Sequence, residues 1–272
     1  MLLLLPPSEG KTAPAHGRPV DLAELSAPGL AGARDRVLDH LIDSSARPDA
    51  TGILGVGAGL AEEVRANTAL RTAPAGPAAT VYTGVLFAAA RLGHLTGTAR
   101  RRATASVRIF SGLWGVLAPG DRIPAYRLSM DVTLPGLEPR RKLSAYWREH
   151  LPEVLDEQAV GDVVVDCRSA TYAASWRPPA GSDHVDVRVV REHDGRRQVV
   201  SHNAKHARGL LVHHLLTRPG RPLRSAQDVA AAAEEMVTRD EPAQGENTGQ
   251  VDAVELDHRP RGWTLTLVSR RA

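Results

Sequence analysis

The chain has 272 residues, 42% hydrophobic and 24% charged, enough to bury a full core and unlike a disordered or fibrous composition. Its formal net charge of +3 permits an anionic partner without demanding one, so any such partner must be met by local clustering of charge. The single cysteine, Cys167, excludes an intramolecular disulfide and a cysteine-rich zinc site. Met1-Leu2-Leu3-Leu4-Leu5 lacks a basic flank and is too short for a signal peptide, and no segment approaches a membrane span. A cytoplasmic protein without a membrane partner is expected.

In chain order, Leu2–Leu5 reads as a short buried strand stopped by Pro6-Pro7, and the chain through Pro19 as loop. Leu30–Ile42 carries an apolar helical stripe, and Leu60–Leu70 is expected to be a second helix after a glycine-rich turn. A Pro/Gly/Ala linker leads to an expected strand, Thr80–Thr83, and a helix, Val85–Leu92. Val107–Ser111 reads as a strand, Leu143–His150 as a helix and Asp162–Asp166 as a buried strand. Val185–Val190 and Arg197–Ser201 flank Asp194-Gly195, a hairpin signal. Helices are expected over Ala207–Leu216 and Ser225–Val237, the second with Asp228 placed for a capping box. Glu241–Gln250 reads as a polar loop and Trp263–Val268 as a last strand. Without regular alternation of strand and helix, the pattern predicts one α+β domain over residues 1–272, built on a mixed β-sheet with surrounding helices.

The most informative window runs from Ser201 to Ser225. It has no Asp or Glu but holds Lys205, Arg208, Arg218, Arg221, Arg224 and four histidines. Lys205 and Arg208 are three apart and share one helical face, which suits an anion such as phosphate. Gly10-Lys11-Thr12 matches only the end of a P-loop, because Leu5 stands where its first glycine belongs. Ser8-Glu9-Gly10-Lys11 has the Ser-x-x-Lys spacing of acyl-transferring serines but lacks the partner motifs. Gly55-x-Gly57-x-Gly59 is not the dinucleotide fingerprint, since Leu60 occupies its third glycine position. His202 and His206 are four apart without the Glu of a zinc-binding H-E-x-x-H, so no metal and no cofactor are expected. Cys167, Trp114 and Trp147 read as core.

Several stretches follow one another in order: Pro6-Pro7-Ser8-Glu9-Gly10-Lys11-Thr12, Val81-Tyr82-Thr83-Gly84, Ser111-Gly112-Leu113-Trp114-Gly115-Val116-Leu117, Asp121-Arg122-Ile123-Pro124-Ala125-Tyr126-Arg127-Leu128-Ser129-Met130, Tyr146-Trp147, the strand ending at Asp166 followed by Tyr172, and Ala204-Lys205-His206-Ala207-Arg208-Gly209-Leu210. In this order, over nearly the whole chain, they closely resemble the YaaA family of bacterial peroxide stress proteins. The resemblance implies an α/β domain with a positively charged cleft, and a role in limiting free iron during hydrogen peroxide stress. It also implies DNA binding through a helix-hairpin-helix-like element, which would fall at 207–237. The usual Gly-x-Gly turn of that element is reduced here to Gly220, and Ser-Glu-Gly-Lys replaces a Ser-Pro-Ala-Lys form.

Two functions from different classes follow as expectations. The first is DNA binding through a basic cleft formed by Lys11, Arg127, Lys205, Arg208, Arg218, Arg221 and Arg224. The second is an enzyme acting on an anionic small molecule, such as a nucleotide or nucleobase derivative. Its site would use Lys11, Tyr82, Asp166 and Lys205, with Ser8 and Tyr172 beside them, because proton transfer needs such a mixture and phosphate binding alone does not.

Overall fold

The computed structural model describes residues 1–193, 196–198, 201–237 and 251–270. In chain order, β1 (Leu2–Leu5) is followed by α1 (Ala31–Ser45), α2 (Ala50–Ile53) and α3 (Ala61–Ala66). Next come β2 (Gly76–Pro77), α4 (Ala78–Val81), α5 (Val85–Ala90) and α6 (Gly97–Ser106). The middle of the chain forms β3 (Val107–Ser111), β4 (Gly115–Leu117), β5 (Arg122–Ile123), α7 (Leu143–Ala159), β6 (Val163–Asp166) and α8 (Ala170–Ala173). The last part forms β7 (Asp183–His193), β8 (Arg196–Gln198), α9 (Ser201–Thr217), α10 (Ala226–Glu234), β9 (Ala253–Arg259) and β10 (Gly262–Arg270).

The principal sheet has the order β4-β3-β1-β6-β7-β10-β9, with β8 paired to β7. Strands β3, β1, β6, β7 and β10 run parallel, and β4 and β9 add antiparallel edges. A parallel strand is covered on both faces, so its sequence is apolar throughout rather than alternating. Leu2–Leu5 and Val163–Val165 are all buried, as that rule requires. This is the mixed sheet with surrounding helices expected from the sequence.

Several element boundaries differ from expectation, three of them for a tertiary reason. Thr80–Thr83 is not a strand: α4 ends at Val81, and Tyr82 makes one antiparallel bridge to Lys11. The helix expected over Leu60–Leu70 breaks after Ala66, where buried Asn67 bonds Ser45 Oγ and both backbone groups of Arg127. Helix α7 runs through Pro152 to Ala159, held down by buried Leu151 and Leu155. The capping box of Ser225 and Asp228 forms as expected, and α9 starts earlier than expected, at Ser201. Strand β9 has no sequence-based counterpart. The Asp194-Gly195 turn, residues 199–200 of the expected strand and the Glu241–Gln250 loop lie outside the described residues.

Candidate anion-binding pocket

In an open parallel sheet, ligands bind beyond the carboxyl ends of two strands whose connections leave in opposite directions. Strand β1 connects onward to β3 on one side, whereas β6 connects to β7 on the other. The crevice between β1 and β6 is therefore the switch point. A cavity of about 360 Å³ opens there, walled by the Pro6–Gly10 segment after β1, by Cys167, Ser169 and Tyr172 after β6, by the start of α5, and by Lys205 and Arg208 of α9.

Local sequence explains how these pieces meet. Pro6-Pro7 ends β1 and turns the chain across the sheet edge. Gly84 admits the loop: a Cβ there would stand 2.2 Å from Ser8 Oγ. Gly209 does the same one layer out, since its Cβ would stand 2.4 Å from Leu86 O, and this lets α9 cross directly over α5. That crossing brings Lys205 and Arg208 over the pocket. Arg208 is steadied by two hydrogen bonds to Val187 O, at 3.1 and 2.7 Å. Lys205 is exposed and has no ion pair among the described residues.

Two side chains of the wall carry buried hydroxyls with no hydrogen-bond partner among the described residues, Ser8 and Tyr172. Ser129 and the Met130 backbone lie near the Tyr172 hydroxyl, short of hydrogen-bond geometry. An unmet buried hydroxyl costs about 1–3 kcal/mol, so its presence asks for an explanation. The apolar part of the wall comes from Pro6, Pro7, Val85, Leu86 and Phe87.

Lys11 stands just behind the Ser8–Gly10 wall. Its bridge to Tyr82 aims the ammonium inward, where Nζ donates to Ser8 O at 2.7 Å and lies 4.6 Å from the Tyr126 ring centroid and 5.6 Å from that of Tyr82. Burial lowers its pKa to about 8; Glu9 opposes the shift, and the Arg127 charge adds to it. Beneath it runs a chain of hydroxyls, with Tyr82 to Tyr126 at 2.8 Å and Tyr126 to Ser111 at 2.6 Å. Burial raises both tyrosines above their ordinary range.

The remaining sequence-based candidates do not line this pocket. Arg127 is buried and already matched, by Glu9 at 2.7 Å and by Glu63, neither of which the sequence pattern singled out as a partner. Asp166 is also buried and faces a different cavity. Burial raises its carboxyl, but the Arg168 charge and hydrogen bonds outweigh this and hold it far below the carboxylate range. Arg218 pairs with Glu235 at the far end of α9, about 20 Å from Lys205 by helical rise. Arg221 and Arg224 are exposed in the turn after α9. That turn directs its amides inward: Arg224 N and Ser225 N donate to Asp228, and Ala226 N to Asp183. The basic window is thus two separate surfaces. Cys167 is core, its thiol pushed up to about 12 by burial.

Comparison of the sequence with known proteins matches most of the chain. A family model described as peroxide stress protein YaaA covers residues 1–235. A UPF0246 protein of Streptomyces coelicolor is 46% identical over 85% of this chain and 88% of its own. Similar proteins of Corynebacterium efficiens and Corynebacterium glutamicum are 40% and 38% identical, over 86% of this chain and 91% and 92% of theirs. The chain belongs to the YaaA family of peroxide stress proteins.

Proposed function

We propose that this chain acts in the peroxide stress response, limiting iron-driven oxidative damage by binding an anionic small molecule in the switch-point pocket. The ligand class is a nucleotide or nucleobase derivative. The observation carrying this reading is the convergence on one cavity of Lys205, Arg208 and the unpartnered hydroxyls of Ser8 and Tyr172, beside an apolar wall with Phe87. Cations and hydroxyls suit a phosphate or carboxylate, and the apolar wall suits a flat ring. Turnover, where the bound molecule undergoes it, falls to Lys11, the group near the pocket whose proton moves close to neutral pH.

Calorimetric titration with nucleoside 5′-monophosphates tests this. Wild type should bind at least one of them, and Lys205→Ala and Arg208→Ala should each weaken binding about tenfold or more. Wild type that ignores the whole series, or variants that bind as tightly as wild type, would overturn the reading.

DNA binding is a second reading, supported by the exposed Arg221 and Arg224 in the turn after α9. It expects log affinity to fall with log salt, and Arg221→Ala/Arg224→Ala to flatten that slope by about two units. An unchanged slope would remove these arginines from any phosphate contact.

A further inference from the structure

A second cavity, of about 520 Å³, lies across the sheet from the first. Successive residues of a strand face opposite sides. Cys167 lines the switch-point pocket, so its neighbour Asp166 faces away, into this second space. Asp186 is the register partner of Asp166, and His184, two residues earlier on β7, shares that face. The floor is therefore the carboxyl end of β6 beside β7, seen from the other side.

Two further segments close the cavity. One is the connection after α8, where Pro178-Pro179 stiffens a wall that begins with Arg177. The other is the β9–β10 turn, Pro260–Gly262. Gly262 has φ +116°, and a Cβ there would stand 2.5 Å from His184 O, so only glycine lets the turn settle onto β7. This closure places Arg261 at the cavity. Residue 261 lies beyond the segment matched by the family model, which ends at 235.

The charges are arranged by depth. Asp166 is neutralised by Arg168, at 2.9 and 2.7 Å. Asp186 makes no hydrogen bond among the described residues. It stands exposed at the mouth, where partial desolvation and repulsion from Asp166 raise its carboxyl while Arg208, His184 and Arg188 act the other way, so its side chain is open to an incoming ammonium. Arg177 and Arg261 are exposed and make no hydrogen bond or ion pair among the described residues. Arg168 Nη1 and Ser182 Oγ, on residues of the same wall, are buried without hydrogen-bond partners among the described residues.

We propose that this cavity binds a free α-amino acid, its carboxylate held by Arg177 and Arg261 and its ammonium by Asp186. A simple anion would meet Asp186 unfavourably and a simple cation would meet the two arginines; a small zwitterion satisfies both ends. The site is a separate cavity from the switch-point pocket, although Arg208 of that pocket bonds Val187 O and its charge reaches Asp186.

The test is calorimetric titration of the full chain with each standard L-amino acid at about 10 mM, followed by the methyl ester and the N-acetyl derivative of the tightest binder. The expected result is binding of at least one amino acid, weakened about tenfold or more by either modification. Arg177→Ala/Arg261→Ala should abolish the preference for acid over ester, and Asp186→Asn the preference for free amine over acetylated amine. Lys205→Ala should change neither. Absence of binding, equal affinity for acid and ester, or loss of binding in Lys205→Ala instead of the Arg177/Arg261 variant would overturn the proposal.

Discussion

Lys11 keeps its ammonium against two tyrosine rings and a carbonyl, with burial drawing its pKa down to about 8 from an ordinary 10.5. Between those values the unfolded chain holds this proton and the folded chain does not, so stability rises with pH across that window. Denaturant midpoints at pH 7.5 and at pH 10 should move further apart, upward with pH, in wild type than in Lys11→Met. Equal movement in the two proteins would mean that Lys11 titrates like a solvated lysine. Cys167 makes the opposite prediction for reactivity, because the thiolate is the reactive form and burial suppresses it. Native protein at pH 7.5 should resist iodoacetamide and peroxide at Cys167, and label readily once unfolded, as read by mass spectrometry. Rapid labelling of the folded chain would contradict the burial argument.

At the scale of elements, Arg34 is the least expected tie. It sits in the apolar stripe of α1, yet its guanidinium is fully buried and donates to Trp114 O at 3.0 Å and to Val116 O and Ser26 O at 2.8 Å. It thereby fixes α1 against β4 and the loop before it. Arg34→Met would leave those carbonyls unmet and should cost about 3 kcal/mol or more in chemical denaturation. A loss below about 1 kcal/mol would show the carbonyls re-bonding to water. The crossing of α5 and α9 makes a similar demand at Gly209. Gly209→Ala should destabilise by about 1–3 kcal/mol through overpacking against Leu86 O and Ala89. It should also weaken ligand binding by lifting Lys205 and Arg208.

At the scale of the molecule, the sheet was legible in the sequence where parallel strands leave continuous apolar runs, as at Leu2–Leu5 and Val163–Val165. Strand β9 was not, because it is an edge strand whose residues are only partly buried or exposed, so its apolar pattern is thin. Site residues were legible singly, since Ser8, Lys11, Lys205 and Arg208 follow strands or lie near helix starts. Their grouping was not. Charge alone put Arg127, Arg218 and Lys205 together, whereas Glu9, Glu63 and Glu235, distant in sequence, had already matched two of the three. Asp166 was drawn into the same set by its strand-end position, but strand alternation turns it to the opposite face. Opposite-sign partners and face parity depend on tertiary placement, which a one-dimensional charge pattern does not carry.

The switch-point pocket unites these scales, and a crystal structure of the protein soaked with the tightest-binding nucleoside monophosphate tests it most directly. The account predicts density between the carboxyl ends of β1 and β6, with the phosphate against Lys205 and Arg208 and the base against Phe87. Density only at the α9–α10 turn, or an empty switch point at saturating ligand, would contradict it.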